Sequence, residues 1–333
     1  FAGAARFVRF AMVRHLRLLR SAWGLPHLRT DAPRAIAHAR DTGFAGIEAS
    51  LSDVGTPAQL RLLCAALQSE GLSLVLSAYS CWRNYEGPAD ARSTVAEHVA
   101  AFDRDLLRIA ECHAAFPRTV LRANGHSGSD AWTEVEACDF FGAVGETASS
   151  AGLPLSHETH RGRYLCCPFA TRRLIHRLPS LRLTLDFSHW VIKCERLLDT
   201  EEEATMLRSE IAPAVDHLHA RIGTPQSPQL ADVHSPLARR AAERFYSLWE
   251  DVWTAHETAS VSSRSSVATA TVEYGPREFD EPSGEYVGYT PVGPEGEPLV
   301  PHTLDETLSH ASQGLLDRFD RWHAGSVRRR FPL

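Results

Sequence analysis

Short apolar runs of β type recur eight times along the chain, and longer amphipathic stretches separate them. The runs are VRHLRLL (13–19), AGIEAS (45–50), LSLVLSAY (72–79), RTVLRA (118–123), LPLSHE (153–158), LRLTLDF (181–187), VDHLHAR (215–221) and ATATVEY (268–274). Between them lie helix signals. Thr56 before Pro57 sets an N-cap and a first-turn proline, and Gly71 closes that helix. Asp130 opens another, through AWTEVEACDFFGAVGETAS, which Gly152 closes, and residues 90–113, 195–210, 237–257 and 303–323 carry a helical period. Eight strands alternating with about eight helices predict an α/β fold, a (β/α)8 TIM barrel. An open doubly wound sheet is the alternative. It usually has fewer strands and a Gly-rich phosphate loop, and neither G-x-G-x-x-G nor a Walker sequence occurs here.

A chain of 333 residues accommodates such a barrel as a single domain. The expected division is an N-terminal extension (1–11), the barrel (12–325) and a C-terminal tail (326–333). After the eighth strand, residues 275–302 (GPREFDEPSGEYVGYTPVGPEGEPLVPH) predict a long loop, either an active-site loop or a plain surface excursion. The serine-rich SVSSRSS (260–266) reads as a connector. Six arginines and no acid in the first 30 residues fit the end of a transit peptide or the first strand. The net charge of −6 argues against a nucleic-acid groove as the main surface, and no apolar run approaches a membrane span. Seven cysteines without a C-x-x-C pair predict reduced thiols and a cytoplasmic setting, with organelle targeting left open. Lys193, the one lysine beside 34 arginines, is the sole candidate for a Schiff base, and a surface role is the expectation.

The densest polar stretch is SHETHRGR (156–163). It is no zinc-protease helix, because His157 and His160 stand three apart rather than four, and Gly152 and Pro154 upstream suit a loop entering a strand. Glu158 is therefore expected at a strand end. In a parallel barrel the chemistry gathers at the C-terminal ends of the strands. The last four runs carry Glu158, Asp186, His219 and Glu273 there, each with a polar residue two places earlier: Ser156, Thr184, His217 and Thr271. Alternation puts those on the same face, one layer deeper, where they could hydrogen-bond the group above. Three carboxylates and an imidazole form a mostly hard-oxygen set, suited to one Mn²⁺ or Mg²⁺ ion, with Co²⁺ or Zn²⁺ also able to bind. Taken singly, each has a plainer role as a helix cap, an arginine partner or a core histidine.

The motifs GFAGIEAS, HETHRGR, LDFSHW, HLHAR and VEYGP resemble the strand-end signatures of the xylose-isomerase-like TIM-barrel superfamily over roughly residues 12–325. That group holds sugar-phosphate isomerases and epimerases, inosose dehydratases and endonuclease IV-type repair enzymes. The resemblance implies Glu158, Asp186, His219 and Glu273 as metal ligands, and, through its Asp-x-x-His pattern, His189 as a substrate-oxygen contact. It is less specific for substrate, and two features depart from a compact epimerase: the long segment between His219 and Glu273 and the Pro- and Gly-rich insert after it.

The expected activity is a metal-dependent sugar or sugar-phosphate isomerase or epimerase, working through an enediolate with Glu158 and Glu273 as acid and base. A related inosose- or dehydroshikimate-type dehydratase uses the same proton abstraction. An endonuclease IV-like phosphodiesterase would need several metals and a basic groove. His126, His160, Arg161, Arg221, Glu48 and Trp190 are candidate substrate contacts, with Arg163 a further anion grip and Trp23 a further apolar wall. His157 is expected to pack on the opposite face from Glu158. The expected partner is a small sugar or polyol, with nucleic acid and membrane disfavoured and self-association left open.

Overall fold

The computed structural model describes residues 15–25, 27–81, 93–258, 267–275, 279–280, 285–286 and 302–330. Eight strands, β1 (His15–Ser21), β2 (Gly46–Ser50), β3 (Ser73–Tyr79), β4 (Val120–His126), β5 (Leu155–Glu158), β6 (Leu183–Leu185), β7 (Val215–His219) and β8 (Val267–Val272), pair in order as one closed barrel. Every neighbouring pair is parallel, and β8 closes onto β1 with Leu19 beside Thr271. The helices are α1 (Ala32–Asp41), α2 (Leu51–Val54), α3 (Pro57–Ser69), α4 (Val95–Ala115), α5 (Glu134–Ser150), α6 (Pro168–Arg177), α7 (Phe187–Cys194), α8 (Glu201–Met206), α9 (Arg239–Thr258) and α10 (Leu304–Arg330). A further antiparallel pair, β9 (Phe279–Asp280) and β10 (Glu285–Tyr286), stands apart from the barrel. This is the (β/α)8 barrel that the alternating pattern predicts, in a single domain.

Local chemistry sets the helix starts. Thr56, Thr94, Thr133 and Thr200 each close a capping box with Gln59, Glu97, Glu136 and Glu203. α5 therefore begins after Thr133, not at Asp130. Four helices fall outside the expected runs, α1, α2, α6 and α7; α1 and α6 each carry a proline in the first turn. The 195–210 run resolves into α8, continued by a π turn over Leu207–Ile211. α10 runs beyond residue 325, the expected end of the barrel. The expected extension (1–11), the connector (260–266) and most of the long loop (275–302) lie outside the described residues.

The apolar core is the shell between strands and helices. Leu18, Ile47, Leu74, Leu76, Leu183, Leu185, Val215 and Val272 meet Leu60, Leu63, Phe102, Phe140, Phe245 and Leu248 there. Leu19 and Val75 are fully buried yet stand outside that cluster, because alternation turns them into the barrel. Most of their inward neighbours are polar. Ser156 and Thr184 hydrogen-bond each other at 2.7 Å, Asn124 donates to Glu48 at 2.8 Å, and His217 Nε2 meets Thr271 Oγ1 at 3.0 Å. The barrel interior is thus a hydrogen-bonded belt, and the mouth is built on it.

Gly46 marks how closely β2 and β3 approach. A Cβ there would overlap the Ser73 carbonyl and stand 2.9 Å from its carbon, and backbone cannot yield as a side chain can. Gly46→Ala is expected to cost about 1–3 kcal/mol as overpacking. Gly142, in α5 with nothing within 4 Å of its added Cβ, should gain up to about 1 kcal/mol on change to alanine. Urea denaturation of the two variants checks the contrast.

Candidate metal centre at the barrel mouth

Four consecutive strands deliver the site. Glu158 ends β5, Asp186 follows β6 and caps α7, His219 ends β7, and Glu273 follows β8. The structure brings all four together: each offers one ligand atom, and those atoms lie within 4.8 Å of one another. His219 Nδ1 stands 3.0 Å from Glu273 Oε2 and 3.5 Å from Glu158 Oε1. These three atoms are buried, and none makes a hydrogen bond. Buried polar atoms are rarely left so, and a shared cation is the simplest physical answer. The carboxylate-rich donors fit Mn²⁺ or Mg²⁺.

Charge is balanced tightly here. Burial alone would raise the Glu158 carboxyl, but His126 and His219 outweigh it and hold it well below the usual carboxylate range. His126 Nε2 lies 3.0 Å from Glu158 Oε2, and its ring stacks on Tyr79. Burial would lower His219, yet Glu48, Glu273 and Glu158 together raise it well above the ordinary imidazole value. Asp186 is pushed up, by burial first and by Glu273 and Glu158 besides, against the pull of Arg221.

Arg221, expected as a substrate grip, is buried behind the ligands. It donates to Asp186 Oδ2 at 2.5 Å, to His189 Nε2 at 2.9 Å and to Ser188 Oγ at 3.3 Å. Asp186 Oδ1 accepts from the Ser188 backbone and hydroxyl. An arginine can only donate, so His189 Nε2 accepts and its Nδ1 carries the proton. That Nδ1 is buried without a hydrogen-bond partner. His160 donates Nδ1–H to the Arg161 carbonyl at 2.5 Å, and its ring lies 3.7 Å from that of His189. Arg161 is half-buried, and that carbonyl is its contact with the His160 ring.

Other expectations are corrected. Trp190 is no pocket wall: it is fully buried in the apolar shell, its indole N–H bonded to the Leu165 carbonyl at 2.8 Å. Glu48 is no substrate contact, because Asn124, His217, His219 and Thr271 surround it beneath the ligands. The deeper polar residues bond one another and Glu48 rather than the ligands above. Arg163 is fully buried, which lowers its guanidinium to about 9. Lys193 sits exposed on the last turn of α7. His157 packs in the wall against Phe102 and Phe141, with Nδ1 2.6 Å from Ser127 Oγ. Trp23 is half-buried over Gly275, where any side chain would strike its ring. Sequence reasoning missed Asn124, whose amide reaches both Glu48 and Glu158; extending the fourth strand to His126 would have turned it inward.

The sequence profile of the xylose isomerase-like TIM barrel family matches residues 36–238. The chain belongs to this family. Among solved structures, this family member is similar to a D-allulose 3-epimerase from Methylomonas sp. in complex with D-allulose (16% identity, TM-score 0.56, 93% of this chain and 99% of that one). It is also similar to the probable 3-DHS dehydratase AsbF of Bacillus anthracis (12% identity, TM-score 0.50, 91% and 98%). A xylose isomerase-like TIM barrel protein from Mycobacterium smegmatis in complex with magnesium aligns over 94% of this chain and 99% of its own (12% identity, TM-score 0.56). At these identities the likeness is one of fold. No curated protein sequence matches the chain. No helix among the described residues is long and apolar enough to cross a membrane.

Burial pushes His157 down to about 3, and His160 and His189 well below the imidazole range. Their folded values lie below the unfolded value of 6.5, so their stability contribution is full above that pH and falls as acid protonates the unfolded chain first. His219 has the opposite sign and acts above 6.5, while Glu48 and Glu158 act only below about 4.5. Between about pH 6.5 and about pH 4.5 the wild-type urea midpoint should therefore fall. His157→Gln should fall less steeply; equal slopes would remove His157 from the linkage.

Proposed function

We propose that this family member is a divalent-metal-dependent isomerase or epimerase of a ketose or ketose phosphate. The convergence of Glu158 and Glu273 within 3.5 Å of His219 Nδ1 carries the reading. The bound cation would supply a Lewis acid that acidifies the C–H bond next to a substrate carbonyl and favours the enediolate. Glu273, the ligand carboxylate with most solvent contact, takes the proton from one face of that carbon. Glu158, whose carboxyl rests ionised, delivers a proton to the other face only after His126, 3.0 Å from its Oε2, passes one to it. His189 Nδ1–H, a buried donor beside the ligands, holds a substrate oxygen in place. D-Allulose, bound in the similar epimerase structure, agrees in class.

A dehydratase reading is favoured by one observation, the run of imidazoles His126, His160 and His189 beside the ligands, which could hydrogen-bond a leaving hydroxyl. A phosphodiesterase is disfavoured. Glu158, His160 and His189 also fall within ligand distance of one another, but the Arg221 N–H on His189 opposes a second cation there. The seven free thiols support a reducing, cytoplasmic setting.

Metal analysis of the purified protein, paired with solvent-deuterium incorporation into a panel of ketoses and inososes, tests the proposal. Exchange without loss of water is expected, and a dehydrated product would replace isomerase by lyase. Glu158→Gln and Glu273→Gln should each lower exchange by about 10²–10⁴-fold. Lys193→Met should leave it unchanged. A protein that binds no divalent ion would defeat the reading.

A further inference from the structure

His219 has a carboxylate at each ring nitrogen. Nδ1 faces Glu273 and Glu158, while Nε2 lies 3.0 Å from Glu48 Oε2. Glu48, 5% exposed, is surrounded by donors: the Asn124 amide at 2.8 Å on Oε1, the Thr271 hydroxyl on Oε2, and His217 Nε2 at 3.2 Å. The pairing requires a proton on His219 Nε2, so the only lone pair the ring can offer a cation is on Nδ1. The same Asn124 amide reaches Glu158 Oε2 at 3.2 Å. Glu48, Asn124, Glu158 and His219 thus close a ring of contacts beneath the centre. Glu48, His217 and His219 are also near enough to share a cation, but Thr269, Thr271 and Asn124 already occupy Glu48 and His217.

We infer that Glu48 is a positioning residue of the metal centre: it fixes His219 with Nε2 protonated and Nδ1 presented to the ion, and through Asn124 steadies Glu158. This rests on the metal-dependent reading above. Histidine ligands commonly donate their second N–H to a carboxylate, which fixes the tautomer and strengthens the ligand. Here that carboxylate comes from β2, across the barrel from β7, so the second strand contributes to a centre whose ligands all come from the last four.

The experiment is calorimetric titration of the metal-stripped full chain with Mn²⁺, for wild type, Glu48→Gln and Glu48→Ala. It is accompanied by proton NMR of the Co²⁺-loaded wild type. The Mn²⁺ Kd is expected to rise on the order of 10–100-fold in Glu48→Ala and by less in Glu48→Gln, with circular dichroism unchanged. The Co²⁺-loaded wild type should show a shifted, exchangeable N–H that is lost in His219→Gln and arises from Nε2. A Kd within about two-fold of wild type in both variants, or a proton on Nδ1, would overturn the inference. If the Glu48 variants do not fold, the wild-type resonance decides alone. A wild type that binds no divalent ion removes the functional proposal as well; one that binds tightly and is indifferent to Glu48 removes only this inference.

Discussion

Everything at the mouth of this barrel is constrained by the mutual repulsion of Glu158, Asp186, Glu273 and, one layer deeper, Glu48. At a separation of about 4 Å and an effective dielectric near 20, one pair of like charges costs about 4 kcal/mol. The chain answers with positive and donor groups on every carboxylate. His219 sits between three of them, His126 takes Glu158, Arg221 takes Asp186, and Asn124 bridges Glu48 to Glu158. What this leaves uncompensated is a small volume bounded by Glu158 Oε1, His219 Nδ1 and Glu273 Oε2.

The polar interior shifts the burden of folding outward. Barrel interiors are usually filled by branched apolar side chains. Here Leu19 and Val75 are inward apolar residues set among Glu48, Asn124, Ser156, Thr184, His217 and Thr271. Apolar burial therefore lies mainly in the strand–helix shell. α10 fastens that shell across the closure of the barrel, through Asp305 to Arg20 at 2.8 Å, Arg318 to Glu250 at 2.6 Å and Trp322 to Thr254 at 3.1 Å. That packed shell surrounds the hydrogen-bonded belt on which the charged side chains of the mouth are set.

The architecture was legible because strand and helix periods alternate so regularly, and the four converging side chains because each closes an apolar run. The rest depended on partners that no local pattern announces. Glu48 reads alone as a pocket carboxylate; only the barrel closure sets β2 against β7 and turns it into a support for His219. Trp190 follows Asp186 closely in sequence, yet the first turn of α7 rotates its indole into the shell while Ser188 and His189 face the ligands. α1 and α6 went unseen because each spans only ten residues rich in arginine and histidine; the Asp31 cap marks the start of α1, and first-turn prolines mark both.

Arg221 links the geometry to the number of ions the centre can hold. Its guanidinium neutralises Asp186, and it stands 3.9 Å from Glu273. The same group donates to His189 Nε2, the edge of the imidazole run from His126 through His160. A cation lodged among those imidazoles would share one carboxylate, Glu158, and face a fixed positive charge that is 2% exposed and so little screened by solvent. A cation between Glu158, His219 and Glu273 meets two carboxylates directly, with Asp186 alongside. On the proposed reading the arginine would separate a side that attracts a metal ion from a side where His160 and His189, kept neutral by burial, would meet substrate oxygens. That division suits proton transfer next to a carbonyl, which needs one electrophile and flanking bases, better than phosphodiester cleavage, which draws on several ions at once.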